Sequence, residues 1–478
     1  PHLPYDTDQV IARAIVDAVA SFIPVTVAPA IDYVYAPQSF GVNGTISLRP
    51  ETFIALVSDV IRSLARHDAT HFVLVDRGSG THAPLHIISR ELHEELGVTV
   101  TVVNPAGIAH DLRSHLLRDP HDGHAGEEET SLMLAIAPDR VRLDLAQSGT
   151  TTHPDTFRSG LRDPAVFLPE PPGITGDPSA ATAEKGRRIF DAIVGEITAH
   201  IETWWAGRPE NPPDLAGSTA YQPGKQHINR SRAGTLLGDL RSDQWETIHE
   251  RCRLAVVPLG AASKEHGYHL PLQTDYLTAE ALKDALLERF SILALPTFSY
   301  GYYPAFIDWP GSMSLRPETH RAAVEDIIRS LARAGFRKVL LLDTGLSTRP
   351  VLEVVARETG REFGIQVALA TIEIGREAAH DLFDGEGTHA NEDETSLMLA
   401  IAPDQVRLDR AVRDMRPSTV IERRDPFAPP AFVQGGKMRS ESGVFGDPTK
   451  ADADRGRAYL AAKVADLETH LAALLEID

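Results

Sequence analysis

The residues best suited to chemistry stand together in one short stretch, 264–275, directly after an apolar run. It contains two carboxylates, Glu265 and Asp275, and two imidazoles, His266 and His269. Nitrogen and oxygen donors at such close spacing are typical of a site for a divalent metal ion. The stretch therefore predicts a metal site in the loop that leaves a strand.

A second cluster of the same residue types follows more than a hundred residues later. His389 is followed by Glu392 and Glu394, and then by the apolar run 397–400. From these residues the two clusters can supply two imidazoles and three carboxylates to one pocket, which suits two divalent ions, zinc or manganese, with metal-bound water as the nucleophile. Two interpretations of Glu392 stay open, a general base beside that water or a charge at a helix start.

The chain is a tandem repeat. Residues 1–8 copy residues 268–275, and the segment at Ser47 matches the one at Ser314 with the same offset of 267. The first copy retains Asp8, His124 and Glu129 as candidate metal ligands. Counterparts of Glu265 and His266 would lie upstream of Pro1, so we expect a first repeat truncated at its N-terminus, with an incomplete site.

The order of patterns predicts an α/β fold. In the second repeat, short apolar runs at 254–259, 292–295, 339–342 and 367–370 alternate with helical patterns, one of which starts at Pro317. Runs that are apolar throughout indicate strands of a mostly parallel sheet covered by helices on both faces. We predict repeat 1 at 1–206, a proline-rich linker at 207–232 and repeat 2 at 233–478.

Composition narrows the partners and the setting. The net charge of −20 disfavours nucleic acid and anionic membranes, both of which attract basic surfaces. The apolar runs are shorter than the ~20 residues of a membrane-spanning helix. Cys252 is the single cysteine, which excludes an internal disulfide and favours a buried thiol in a reducing, cytoplasmic setting. A small-molecule substrate is the expected partner.

In both clusters the chain resembles the creatininase (creatinine amidohydrolase) family. The phrases that carry the resemblance are His266–Leu272, Pro310–Arg316, His389–Ser396 and Ser442–Pro448. The resemblance implies tandem α/β/α sandwich domains, homo-oligomers and a dinuclear zinc or manganese centre that hydrolyses amide C–N bonds in rings or formamides. The ligands it implies are Glu265, His266, Asp275 as the bridging carboxylate, His389 and Glu394.

Three departures from the family pattern bear on the substrate. Lys264 stands where the family has a ligand glutamate, so we expect Glu265 to turn inward instead. Residues 343–348 replace a glycine-rich loop of the family, and no tryptophan follows Trp309. We predict an amidohydrolase acting on a non-peptide amide in the second repeat. The alternatives are a catalytically silent binding or oligomer-forming scaffold and a peptidase of the same family.

Overall fold

The computed structural model describes residues 1–36, 44–78, 80–105, 108, 110–118, 122–149, 174–206, 232–384, 387–415 and 440–476. These residues form two compact units. Unit 1 comprises Pro1–Ser47, His71–Arg230 and Leu237–Ile248, and unit 2 comprises Leu48–Thr70, Ser231–Leu236 and His249–Asp478. The predicted linker, apart from Arg232, lies outside the described residues, and the predicted repeat boundaries stay a prediction.

Unit 1 has a parallel pair of strands and several helices. Its elements in chain order are α1 (Thr7–Phe22), β1 (His71–Val75), α3 (His82–Leu96), β2 (Thr99–Val103), α4 (His110–Leu116), α5 (Glu127–Ile136) and α6 (Ala183–Ala206). β1 and β2 pair in parallel, with His71 opposite Thr99. Fully buried isoleucines of α1 and α6, among them Ile11, Ile15 and Ile189, share one core with Leu132 of α5.

Unit 2 is built on a larger parallel sheet. Its helices are α2 (Pro50–Ala65), α7 (Ile248–Arg251, whose first residue is assigned to unit 1), α8 (Thr274–Arg289), α9 (Pro317–Arg333), α10 (Arg349–Phe363), α11 (Arg376–Leu382), α12 (Glu392–Ile401) and α13 (Ala453–Glu476). Its strands are β3 (Thr235–Leu236), β4 (Leu254–Leu259), β5 (Ile292–Ala294), β6 (Lys338–Asp343), β7 (Gln366–Ala370), β8 (Gly387–His389) and β9 (Phe445–Gly446).

The sheet of unit 2 is buried on both faces. Its strand order is β3-β5-β4-β6-β7, with every neighbouring pair parallel. Leu254 and Val256 of β4 pack in one core with residues of α8 and α13. The alternate residues Ala255 and Val257 point to the opposite face and are equally buried. The predicted α/β class with mostly parallel strands is therefore confirmed.

One helix from the first repeat belongs to unit 2. The amide of Arg49, which precedes α2, donates to Asp326 of α9, and the amide of Arg316, which precedes α9, donates to Asp59 of α2, each at 2.9 Å. The guanidinium Nε atoms of the two arginines lie 2.8 and 2.9 Å from the same two carboxylates. Because each aspartate is buried, the N-terminus of each helix is held by a carboxylate of the other.

Several local predictions are confirmed. α9 begins at Pro317, where the missing amide hydrogen of proline costs no hydrogen bond. Cys252 is buried, with its Sγ 4.0 Å from the hydroxyl of Thr235.

Among the residues that the structure describes, no helix combines the length and apolar character needed to cross a bilayer.

Candidate metal site

The candidate site lies at the carboxyl ends of two neighbouring strands. β4 ends at Leu259 and β6 at Asp343, and these two residues are paired in the sheet. Ligand sites of open parallel sheets are found at such strand ends. The loop after β4 is tied down by backbone hydrogen bonds, since the amide of Lys264 donates to Leu272 and the amide of Met313 donates to Ser263. The motif loop is thus fixed in place.

Three side chains bring metal-ligating atoms together in unit 2. One ligand atom each from His266, His389 and Glu394 lies within 4.8 Å of the other two. Both histidines are buried, and their rings are 4.8 Å apart between centroids. The two predicted clusters therefore meet, although they are more than a hundred residues apart in the chain.

Backbone carbonyls fix the ring orientation of both histidines. His266 Nδ1 lies 2.9 Å from the carbonyl oxygen of Lys264, and His389 Nε2 lies 2.9 Å from that of Glu265. A carbonyl only accepts, so each of these ring nitrogens carries the hydrogen. When either ring is in its neutral form, its other nitrogen keeps a lone pair, which is the arrangement that metal-binding histidines adopt.

A left-handed residue positions Glu394 at the start of α12. Ala390 has φ 48°, a conformation that costs free energy for any residue with a β-carbon. Its amide donates to Glu394 Oε2 at 2.5 Å, and the same oxygen lies 4.0 Å from His389 Nδ1. Burial raises the pKa of Glu394, while His389 and Lys264 oppose that rise. The carboxyl group is therefore a better proton acceptor than an exposed glutamate.

Asp275 is bound to a lysine as well as to a histidine. Its Oδ1 lies 3.1 Å from His266 Nε2, and its Oδ2 lies 2.6 Å from the ammonium of Lys264. Burial alone would raise the pKa of Asp275, but the charges of Lys264 and His266 outweigh it and lower the pKa. The ammonium also lies 5.3 Å from the ring of Tyr303 and 5.1 Å from that of Phe306. Lys264 is therefore enclosed in the site.

Glu265 is not brought into the group of three ligands. The amide of Gly267 donates to its carboxylate, and Oε2 lies 3.2 Å from His389 Nε2, the nitrogen that already donates to a carbonyl. A β-carbon at Gly443, where φ is 72°, would collide with this carboxylate. Glu265 thus contacts the His389 nitrogen that faces a carbonyl, whereas Lys264 reaches Asp275. The role of Glu265 as a metal ligand stays a prediction.

Two further predicted residues have other partners. Glu392 Oε1 lies 2.6 Å from the guanidinium of Arg455, so the structure does not bring Glu392 to the group of three ligands. Of its two interpretations, this contact favours a structural charge at the start of α12. His269 Nε2 lies 2.9 Å from the hydroxyl of Thr395, a supporting contact under the site.

In unit 1 an arginine lies among the equivalent carboxylates. Arg77 Nη2 is 3.2 Å from Glu129, and Arg77 Nε is 3.8 Å from Asp8. The side chain of Asp8 is largely exposed, whereas that of Arg77 is buried. The three predicted residues of the first repeat are therefore close together, but around a guanidinium group.

The comparisons with known proteins agree with the residue patterns. The sequence profile described as Creatininase, creatinine amidohydrolase, matches residues 1–201 and 238–471, which is most of the chain. The chain belongs to the creatininase family. The match over two regions also fits the tandem repeat.

Individual relatives in this family carry two kinds of name. The mycofactocin precursor peptide peptidase of Mycobacterium ulcerans (strain Agy99) is 32% identical over 43% of this chain and 81% of its own length. The creatinine amidohydrolase of Pseudomonas putida is 32% identical over 34% of this chain and 70% of its own length. Creatininase-family membership supports a hydrolase and leaves the type of amide open.

Among solved structures, a mutant creatininase is 26% identical with a TM-score of 0.43, covering 51% of this chain and all of that one. A structure described as "Creatininase Mn" is 26% identical with a TM-score of 0.40, covering 50% of this chain and 97% of that one.

Sequence reasoning missed two residues at these sites. No motif in the sequence indicated Arg77. Its position directly after Asp76, at the end of a strand pattern, could have indicated it. The second is Phe306, whose ring centroid is 4.4 Å from that of His389. Both depend on contacts between segments that are distant in the chain.

Proposed function

We propose that unit 2 is a metal-dependent hydrolase that cleaves a non-peptide amide C–N bond, of the cyclic amide or formamide type. The observation that carries this proposal is the orientation of the two histidines. His266 and His389 each donate one ring N–H to a backbone carbonyl, and both contribute an atom to one group with Glu394.

The residues present fit one divalent ion. Two imidazoles and one carboxylate form the ligand set of many catalytic zinc sites, which keep further positions open for water and substrate. When bound, a zinc or manganese ion would lower the pKa of a water molecule and polarise the amide carbonyl. A second ion beside Asp275 does not fit as well, because the ammonium of Lys264 is 2.6 Å from that carboxylate.

The chain's own residues would handle the proton and exclude solvent. Glu394, as the ligand carboxylate, would accept a proton and pass it to the leaving nitrogen. Phe306 covers the ring of His389, and both histidines are buried. In such a water-poor site the electrostatic interactions with the substrate are stronger than in water.

Two other functions each have an observation in their favour. Relatives named as peptidases favour peptide cleavage at the same site. The Lys264–Asp275 ion pair favours a catalytically silent protein that binds a metabolite or forms a homo-oligomer. The homo-oligomer and the cytoplasmic location stay predictions.

The test uses the full chain, loaded with Zn²⁺ or Mn²⁺ and assayed against cyclic amides, formamides and short peptides. We expect metal-dependent release of product from a cyclic amide or a formamide. His389→Ala should lose the metal and the activity, whereas the matched variant His124→Ala should keep both. Turnover of peptides alone would favour the peptidase. Bound metal without turnover of any substrate would favour the silent protein.

A further inference from the structure

We infer that each unit carries a built-in cation in place of a metal ion, Lys264 beside Asp275 in unit 2 and Arg77 between Asp8 and Glu129 in unit 1. The inference rests on the proposed function in one respect only, that these carboxylates stand at positions suited to metal ligands. It predicts that unit 2 holds at most one divalent ion and that unit 1 holds none.

The two cations lie among equivalent carboxylates. With the repeat offsets, Asp275 corresponds to Asp8, Asp343 to Asp76, and Glu394 to Glu129. In unit 2, the charge of Lys264 acts on all three carboxylates of its group. In unit 1, the carboxylates of Asp8, Asp76 and Glu129 in turn interact electrostatically with Arg77. The same three negative positions thus surround one basic group in each unit.

The basic groups come from different elements. Lys264 lies in the loop after β4, whereas Arg77 directly follows Asp76 at the end of β1. The residue equivalent to Arg77 is Thr344, whose hydroxyl donates to backbone carbonyls of Leu259 and Asp275. One kind of charge has therefore been supplied at two different positions, which indicates that the carboxylates require a cation.

Electrostatics explains why a cation and a second metal ion exclude each other. Buried carboxylates are costly unless a positive charge or hydrogen bonds compensate them. An ammonium 2.6 Å from Asp275 already provides that charge. A divalent ion on the same carboxylate would be repelled by the ammonium at short range in a medium of low dielectric constant. Lys264 must therefore leave before a second ion can bind.

The test counts metal ions per full-length chain after incubation with Mn²⁺ or Zn²⁺ and dialysis, using elemental analysis. Lys264→Glu removes the cation and adds a carboxylate, and we expect it to hold one more ion per chain than the wild type. Lys264→Arg keeps the charge and should show no gain. Arg77→Thr introduces the residue of the other repeat, and it should also gain one ion.

Because the readout is a difference between variant and wild type, it is independent of whether the wild type hydrolyses an amide. A folded Lys264→Glu protein without the additional ion would overturn the inference. If that variant does not fold, as judged by circular dichroism, electron paramagnetic resonance of the Mn²⁺-loaded wild type decides. A spin-coupled pair of manganese ions would overturn the inference, and only isolated ions, or none, would support it.

Discussion

The carboxylate groups of the two units share a backbone frame and differ in the side chains that fill it. Ala125 and Ala390 both have positive φ, 53° and 48°, and their amides donate to Glu129 and Glu394 at 2.7 and 2.5 Å. Arg77 lies against Glu129 in unit 1, whereas His266 and His389 lie close to Glu394 in unit 2.

The aspartates at the strand ends are also held in the same way. The amide of Gly78 donates to Asp76 and that of Gly345 to Asp343, each at 3.1 Å, and a threonine hydroxyl donates to each aspartate as well. The turns and their aspartates are therefore retained in both units, whereas the basic groups beside them differ. A turn of this kind does not by itself identify a metal site.

The largest expected effect separates the two glutamates. Glu394→Gln removes the proposed proton acceptor of unit 2, so we expect kcat for the amide substrate to fall by about 10²–10⁴-fold. Glu129→Gln is the matched control, and it should leave kcat unchanged because its carboxylate is bound to Arg77. An equal loss in both variants would place catalysis in both units and contradict the comparison.

The next effect concerns the ion pairs that Lys264 and Arg77 make with aspartates, of which only Lys264–Asp275 is buried on both sides. Asp275→Asn leaves the ammonium of Lys264 buried without its charged partner, which should lower the free energy of unfolding by about 3–5 kcal/mol. Asp8→Asn should cost less, because Arg77 still contacts Glu129 at 3.2 Å. Urea denaturation of the full-length variants measures both losses. A loss in Asp8→Asn as large as in Asp275→Asn would show that the two cations depend on their aspartates equally.

A smaller and symmetric effect is expected at α2 and α9. Asp59→Asn and Asp326→Asn each weaken hydrogen bonds between a charged carboxylate and the amide and guanidinium of an arginine. Each should lower the free energy of unfolding by about 1.5–3 kcal/mol. Because the two contacts have the same geometry, thermal or urea denaturation should give similar losses. A large difference between them would show that only one of the helix ends needs its partner.

The last expected effect is a change in the pH dependence of stability. Burial raises the pKa of Asp343 from 3.8 to about 7, against hydrogen bonds from Thr348 and Gly345. The folded protein therefore binds this proton more tightly than the unfolded chain, so the contribution of Asp343 to stability falls as pH rises from about 4 to about 7.

Asp343→Asn should make the unfolding free energy less dependent on pH over that window. The pKa of Asp76 is also raised by burial, so Asp76→Asn should change the slope in the same direction. Denaturation at a series of pH values measures both slopes. A steeper decline in Asp343→Asn would mean that the sign of the shift is wrong.

Much of the fold was predictable because its signals are local. The apolar run of β4, the helix start at Pro317 and the repeat itself can all be recognised in short windows of sequence. The meeting of His266 with His389 followed from the family resemblance. The rule that ligands bind at the carboxyl ends of parallel strands located only the loop that carries His266, because His389 ends a strand of a separate antiparallel pair.

The directions of neighbouring side chains in the motif loop were not predictable. Lys264 and Glu265 are adjacent in an irregular loop, and their orientations depend on contacts with Ser312, Gly443 and the ring of Phe306. Residue spacing carries no information about such contacts, because those partners lie about 40 to 180 residues further along the chain. The same reason explains why Arg77 was missed.

The position of α2 in unit 2 matters for experiments that divide the chain into its two repeats instead of substituting single residues. A fragment cut at the linker would carry α9 without its companion, leaving the carboxylate of Asp326 and the apolar side of the helix bare. Such a fragment would be prone to aggregate. A lack of activity in it would therefore not test the proposed metal site. The first repeat thus supplies a helix on which the fold of unit 2 depends.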